Sequence, residues 1–308
     1  DGIDGHDVGL GDGGVDEFIG EGGDDIMVGS PGRGKMVGMS GFDWATYKDN
    51  TASVNADLSI PIIFDEAPII PSNAALDEYE TVEGLSGSAF DDILRGTDDT
   101  AAEMLPTTQG GSGGYRGSAL DAAGIARIAG LQDVVGAGVT SFAAGDIILG
   151  GDGSDSIEGG GGDDIIDGDK WLDVQIGLFA VGDTDHSGEP LELHNSMTTL
   201  AARMFSGELN PGQLKIVRTI READGSDDVD TAVFSDLREN YDITLNNDGT
   251  ITVAHVGGTL TDGTDTLRNI ERLQFSDLAF DIGPPVISDQ TPTEGQQLTV
   301  DTSGMTDP

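Results

Sequence analysis

Apolar residues are sparse along this chain, and in two stretches they recur at an interval of nine. Ile148, Ile157 and Ile166 mark the interval in the second stretch, and Phe18 and Met27 hold the same place in the first. The first stretch divides into the blocks Gly2–Leu10, Gly11–Ile19, Gly20–Val28, Gly29–Val37 and Gly38–Thr46, the second into Ser141–Leu149, Gly150–Glu158 and Gly159–Asp167. Each block splits into a turn of about six residues and a strand of about three, because Gly and Asp crowd the front and a single apolar residue stands at place eight. One such block buries almost nothing by itself, so the pattern predicts stacked copies with the place-eight residues forming a thin aliphatic core.

The turn half of each block carries chemistry. Gly stands at places one and four throughout the first stretch, where it permits the positive φ angles of a tight turn and a close approach of backbone carbonyls. Place six holds Asp7, Asp16, Asp25 and Asp43 in the first stretch, with Gly34 as the exception, and Asp146, Asp155 and Asp164 in the second. Carboxylate and carbonyl oxygens converging on one turn are the donor set that Ca²⁺ selects. A further block, Gly87–Arg95, places Asp92 at six and Leu94 at eight, and Gly168–Ile176 keeps register through Asp173 although Trp171 replaces its second Gly.

This G-G-x-G-x-D-x-U-x pattern resembles the nonapeptide repeat of RTX (hemolysin-type) calcium-binding proteins. The resemblance implies a mainly β fold built of parallel β-roll segments, with several Ca²⁺ ions as the cofactor. It also implies that two nonapeptides make one turn, so that an ion lies between a repeat and the second one after it. Asp7, Asp25 and Asp43 then share one side, while Asp16 and the defective Gly34 share the other, where a weak or missing ion is expected. Asp146 pairs with Asp164, and Asp155 faces Asp173. RTX proteins are exported by type I secretion, unfolded inside the cell and folded by external calcium, which implies a secreted or cell-surface location.

Between and after the repeats the pattern changes. The expected organisation is a first roll over 1–47, a covering segment over 48–86, a second roll over 87–176 interrupted by an insertion at 100–140, an α/β cap over 177–223, a β-rich cap over 224–282, and a linker with the start of an Ig-like β-sandwich over 283–308. Pro61-Ile62-Ile63-Phe64 and its echo Pro68-Ile69-Ile70-Pro71 suit a loop covering the open end of the first roll. Leu120, Gly124, Ile128 and Leu131 fall near one face of a helix, as do Met197, Leu200, Ala201 and Met204, the two methionines being expected in the core. Asn247-Asp248-Gly249 reads as a hairpin turn. An internal duplication is also visible: Asp43-x-Ala45-x-Tyr47 recurs as Asp230-x-Ala232-x-Phe234, and Val82-Glu83-x-Leu85 as Ile270-Glu271-x-Leu273.

Charge sharpens the picture. There are 57 acidic and 14 basic side chains, a net charge of −43. Such a chain repels nucleic acid and anionic membranes, and no apolar run approaches a membrane span. Without counter-cations the turn carboxylates repel one another, so folding is expected to be coupled to calcium. Cysteine is absent, which removes disulfides and thiol chemistry. The four histidines, His6, His186, His194 and His255, lack metal-ligand spacing, and no triad, P-loop, dinucleotide fingerprint or zinc motif is present; no catalytic site is expected in this chain. Asp183–Glu189 matches the first half of an EF-hand loop, but His194 stands where the twelfth-place Glu is required, so an acidic turn is preferred. Gly263-Thr264-Asp265-Thr266-Leu267 fits equally a shortened copy of the repeat and a plain turn into a strand. Arg203, Lys215, Arg218 and Arg221 are read as a solvated basic face.

A narrower resemblance concerns Asp163–Leu172, Asn210–Leu214 and Asp262–Glu271, which are similar to the C-terminal RTX part of bacterial animal-type haem peroxidase proteins, some of them linked to manganese oxidation. It implies a haem peroxidase domain upstream in the same polypeptide, with no peroxidase residue in this sequence. Pro285-Val286-Ile287 and Thr293–Gln296 resemble the start of an Ig-like domain of large surface proteins, which leaves a spacer role in an adhesin as a further expectation. Both ends fall inside patterns, so the chain is expected to be part of a longer one.

Overall fold

The computed structural model describes residues 5–62, 77–104, 117–223 and 228–282, together with the backbone of 286–287 and 300–301. The fold is mainly β, with parallel sheets. The nine-residue step sends successive blocks to opposite walls. Val8–Leu10, Ile26–Val28 and Trp44–Thr46 lie side by side in one sheet, while Glu17–Ile19 and Lys35–Val37 pair in another. The reason is the alternation of three-residue strand and glycine-rich turn: each turn reverses the chain, and two reversals bring it back 18 residues further on, as the Val8↔Ile26 and Ile26↔Trp44 pairings record.

Alternate strands of both repeat runs stack in one nine-stranded sheet. Trp44–Thr46 pairs in parallel with Gly84–Ser86, which pairs with Ile147–Leu149, then Ile165–Asp167 and Thr264–Arg268. The sheet ends in the antiparallel strands Ile251–His255 and Tyr241–Leu245, giving nine strands. The opposite wall holds Glu17–Ile19, Lys35–Val37 and Glu78–Glu80 in three strands, and Asn55–Asp57, Ile93–Arg95, Ser156–Glu158, Thr231–Val233, Arg272–Gln274 and Ala279–Asp281 in six. The segments expected to be caps, 48–86 and 224–282, therefore supply wall strands. The covering loop expected over Pro61–Pro71 and the Ig-like start lie largely outside the described residues.

Place-eight side chains face inward as their spacing predicts. Met27, Met36, Ala45, Leu85, Leu94, Ile148, Ile157, Ile166, Ala232, Leu267 and Leu273 share one buried core between the walls. Gly9, at the same place in the first block, leaves room that the Phe18 ring from the facing wall enters. The nine-stranded sheet is apolar on its outer face as well, through Ile26, Val28, Trp44, Ile147, Leu149 and Ile165.

Two excursions cover that outer face. The first carries the helices Ala122–Arg127 and Leu131–Val135, shorter than the single helical stretch expected, because the backbone turns extended at Ile128 (φ −109°, ψ 112°) and left-handed Gly130 (φ 87°) opens the second helix. The second is a ribbon in which Lys170–Leu178 pairs antiparallel with Leu214–Glu222 over nine residues. Gly168–Ile176 is therefore not a fourth nonapeptide: Leu172, Val174 and Ile176 alternate inward as one side of a half-buried antiparallel strand. Between the ribbon strands, helix Thr198–Phe205 buries Leu200; Met204 is partly buried against this cluster, whereas Met197, expected in the core, is exposed. The excursions meet at an isolated bridge between Ala129 and Thr219.

Candidate metal centre

The turn carboxylates form two ladders. In the first, the Asp7 N–H donates to Asp25 Oδ1 at 2.7 Å, the Asp25 N–H to Asp43 Oδ1 at 2.8 Å, and the Asp43 N–H to Glu83 Oε2 at 2.9 Å. Along the same sheet the Asp146 N–H donates to Asp164 Oδ1 at 2.7 Å and the Asp164 N–H to Asp265 Oδ1 at 3.0 Å. On the opposite wall the Val54 N–H donates to Asp92 Oδ1, Asp92 N–H to Asp155 Oδ1, Asp155 N–H to Asp230 Oδ1 and Asp230 N–H to Glu271 Oε2, at 2.7, 2.7, 2.8 and 2.9 Å. Each rung thus occupies one carboxylate oxygen, on a buried side chain in every case but Glu271.

The other oxygen is left over. Asp25, Asp43, Asp155, Asp164 and Asp230 each have a buried Oδ2 without a hydrogen-bond partner, and Asp146 has such an Oδ1. The unpartnered Oδ2 atoms face the place-one glycines, whereas Asp146 Oδ2 accepts from the N–H and Oγ1 of Thr97. A Cβ on Gly20 would overlap Asp25 Oδ2 and close on the Gly38 carbonyl oxygen; on Gly150 it would overlap Asp155 Oδ2 and the Gly168 carbonyl oxygen; on Gly38, Asp43 Oδ2 and the Thr81 carbonyl oxygen. The absent side chain keeps clear a space bounded by a carboxylate and a carbonyl from the next turn of the same wall. Among the described residues no three His, Cys, Asp or Glu side chains converge on one point, so any cation here has to draw on backbone carbonyls. Hard oxygen donors of that mixed kind suit Ca²⁺, and an unpartnered buried carboxylate oxygen is costly unless a cation satisfies it.

The electrostatics agree. Burial is the first cause in every case: it raises Asp25 and Asp77 to about 6, Asp146 and Asp230 to about 7, and Asp43 and Asp155 to about 8. Asp164, Asp265 and Glu83 are pushed well above the carboxylate range by burial and by neighbouring acids. The backbone N–H bonds along the ladders oppose these rises without cancelling them.

The nine aspartates singled out by sequence divide accordingly. Asp7, Asp25, Asp43, Asp146 and Asp164 lie on the first ladder, Asp92 and Asp155 on the second. Asp92 differs in that the N–H and Oγ of Ser88 already satisfy its carboxylate. Asp16 accepts from Ser30 Oγ at 2.9 Å and adjoins the Gly34 turn, whose N–H donates to Asp77. Asp173 is on neither ladder: it sits in the ribbon, 3.1 Å from Arg221 Nε and 3.8 Å from Lys48 Nζ, and Asp230 takes the place beside Asp155 that was expected for it.

The repeat spacing does not mark Glu83, Asp77, Asp230 and Glu271, whose carboxylates accept backbone N–H bonds from neighbouring turns, and it leaves Asp265 open. The duplication carried the signal for three of them. The Asp43–Glu83 rung has a counterpart in Asp230–Glu271, with the N–H groups of Glu83 and Gly84 donating to the Asp43 carbonyl, and those of Glu271 and Arg272 to the Asp230 carbonyl. The two copies lie on opposite walls.

Elsewhere, in the Asp183–Glu189 loop, Asp183 accepts from the Ser187 and Gly188 N–H groups and Asp185 from Ser187 Oγ, as in an acidic turn. His255 is buried, stacked on Tyr241 and 3.3 Å from Asp236. The basic residues are partnered rather than forming one open face: Arg203 binds Glu192 and Glu208, Arg221 binds Asp173, and Arg218 donates to the His6 carbonyl. No helix among the described residues is long and apolar enough to cross a membrane. In comparisons with known proteins, no family model and no curated protein matches the chain.

Proposed function

We propose that this chain is a non-catalytic, calcium-binding β-roll module whose turns order around Ca²⁺ and which gives calcium-dependent folding to a large secreted bacterial protein. The observation that carries the reading is the set of buried, unpartnered oxygens on Asp25, Asp43, Asp155, Asp164 and Asp230, each beside a glycine that keeps room for a cation. The ligands would be those carboxylates, Asp146, Asp265 and Glu83, with place-one carbonyls such as those of Gly38, Gly159 and Gly168 completing the shell. The ion would supply charge neutralisation at each rung and replace a disulfide as the cross-link between turns.

The acidity of the whole chain supports the same reading: at −43 the metal-free molecule opposes its own compaction, and cations at the turns relieve this. Such coupling suits an environment in which calcium is abundant outside the cell and scarce within, in keeping with the type I export that the repeat resemblance implies. Circular dichroism and calorimetric titration with CaCl₂ after chelation test the proposal. The expected result is a gain of β signal with several ions bound per chain; a spectrum indifferent to calcium overturns it.

A further inference from the structure

The turn that opens at Gly168 is finished by a distant piece of chain. Gly168 follows strand Ile165–Asp167 and donates its N–H to the Arg268 carbonyl at 3.1 Å, as a place-one residue should. A Cβ added to it would overlap Asp230 Oδ2 and the Asn269 carbonyl oxygen. Asp230 then leads into strand Thr231–Val233, so the turn is assembled from two segments with residues 169–229 between them. Asp230 is fully buried, and its Oδ2 has no partner. Asp169, Asp228 and Glu271 add negative charge around it.

The intervening excursion is closed at its base. The Ala223 N–H donates to the Asp169 carbonyl at 2.7 Å, and the ribbon pairs from Lys170↔Glu222 to Leu178↔Leu214. Its inner face then reaches back over the earliest repeats. Leu172 and Val174 pack in one cluster with Ile26, Val28 and Trp44; Thr46 Oγ1 donates to the Leu172 carbonyl at 3.2 Å, and Arg218 to the His6 carbonyl at 2.9 Å. The apolar outer face of the first strands is thus covered by a ribbon anchored after Ile165–Asp167, three strands along the sheet from Trp44–Thr46.

We propose that a calcium ion at the Gly168–Asp230 turn clasps the base of this excursion, so that metal bound late in the chain docks the ribbon over the strands formed early. This rests on the calcium reading above and adds a consequence to it: one ion, at a turn no nonapeptide encodes, controls the burial of a distant surface. Closing a long loop is opposed by chain entropy, and the carboxylates around Asp230 oppose it further unless a cation neutralises them.

Hydrogen exchange of the full chain with and without calcium tests this in the wild type and in Asp230→Asn, which keeps the Oδ1 that receives the Asp155 N–H but removes the charge. With calcium, the wild type should protect Lys170–Leu178, Leu214–Glu222 and Ile26–Val28 together. Asp230→Asn should lose that protection while Lys35–Val37, in the three-stranded sheet away from the ribbon, keeps it, and the affinity at this turn should fall on the order of tenfold or more. Because the variant could misfold outright, terbium provides a second reading. Trp171 lies beside the Gly150–Gly151 turn adjoining the site, so Tb³⁺ emission sensitised by tryptophan should drop in Trp171→Phe, which leaves every proposed ligand in place. If the wild type binds no calcium, both readings fall. If it binds calcium but Asp230→Asn shows wild-type protection, or Trp171→Phe retains full terbium emission, the clasp alone is overturned.

Discussion

At the scale of single residues, the glycines at place one matter as much as the aspartates. Gly150 has no left-handed φ, so its backbone would accept alanine, yet a Cβ there would intrude between Asp155 Oδ2 and the Gly168 carbonyl. Gly150→Ala should therefore abolish one cation site. Calorimetry is expected to count one calcium fewer per chain, with Gly212→Ala, which lies off both ladders, binding as the wild type does; an unchanged stoichiometry in Gly150→Ala would contradict the assignment. Gly34 illustrates a different constraint. A Cβ there would come within 2.6 Å of the Asp16 carbonyl oxygen, so the missing carboxylate of that block is not simply an aspartate lost from an otherwise ready site. Asp77 reaches the Gly34 N–H instead, from a segment that carries no glycine repeat. That substitution was invisible in the sequence because a carboxylate can join a ladder from any segment whose strand stacks in register, and only the regular blocks advertise their register. Asp173 shows the converse: it keeps the spacing of a repeat, but its strand alternates and pairs antiparallel, which takes it to Arg221.

At the scale of elements, strands of three residues are too short to persist alone, and their stability comes from the shared core. Ile148 is fully buried at the centre of that core, whereas Ile93, one place earlier in its own block, is 39% exposed. Ile148→Ala should destabilise the calcium-loaded protein by about 2–5 kcal/mol, and Ile93→Ala by less than about 1 kcal/mol, with urea midpoints as the measurement. Equal effects would mean that place eight does not set the core. The place-eight period made the inner core readable from sequence, since one apolar residue per block leaves little ambiguity about which side faces in. The outer core was not readable in the same way. Ile26, Val28, Ile147 and Leu149 flank place eight and look solvent-facing in a lone roll; they are buried here by excursions whose contacts span most of the chain. The continuity of the two runs was hidden for a related reason. Gly84–Ser86, the strand that joins them, carries Glu83 ahead of it where the repeat has Asp, and only the duplicated Val82-Glu83-x-Leu85 phrase marked it.

At the scale of the whole molecule, the ladders predict opposite pH responses with and without metal. Asp43 and Asp155 titrate near 8, Asp146 and Asp230 near 7, and Asp25 and Asp77 near 6 in the folded chain, all above the 3.8 of a free aspartate. A pKa raised on folding means that the folded state holds its proton more tightly than the unfolded one. In chelator, that contribution to stability is fully present below about pH 4, shrinks as the unfolded chain ionises, and is gone once pH has risen through 8. The metal-free protein should thus become more ordered on acidification from pH 8 to pH 5, reversing the usual acid denaturation of carboxylate-rich proteins. Calcium reverses the sign, because the ion requires the ionised carboxylate and competes with the proton for the same oxygens. At pH 7 binding should release protons from Asp43 and Asp155, and from Asp164, Asp265 and Glu83, which burial pushes well above the carboxylate range. Calorimetry at that pH in two buffers of different ionisation enthalpy should give apparent heats that differ by the number released, with the release shrinking toward pH 9. Identical heats in both buffers at pH 7 would show that the ladder carboxylates are already ionised in the metal-free fold, and that burial does not hold their protons as the ladders require.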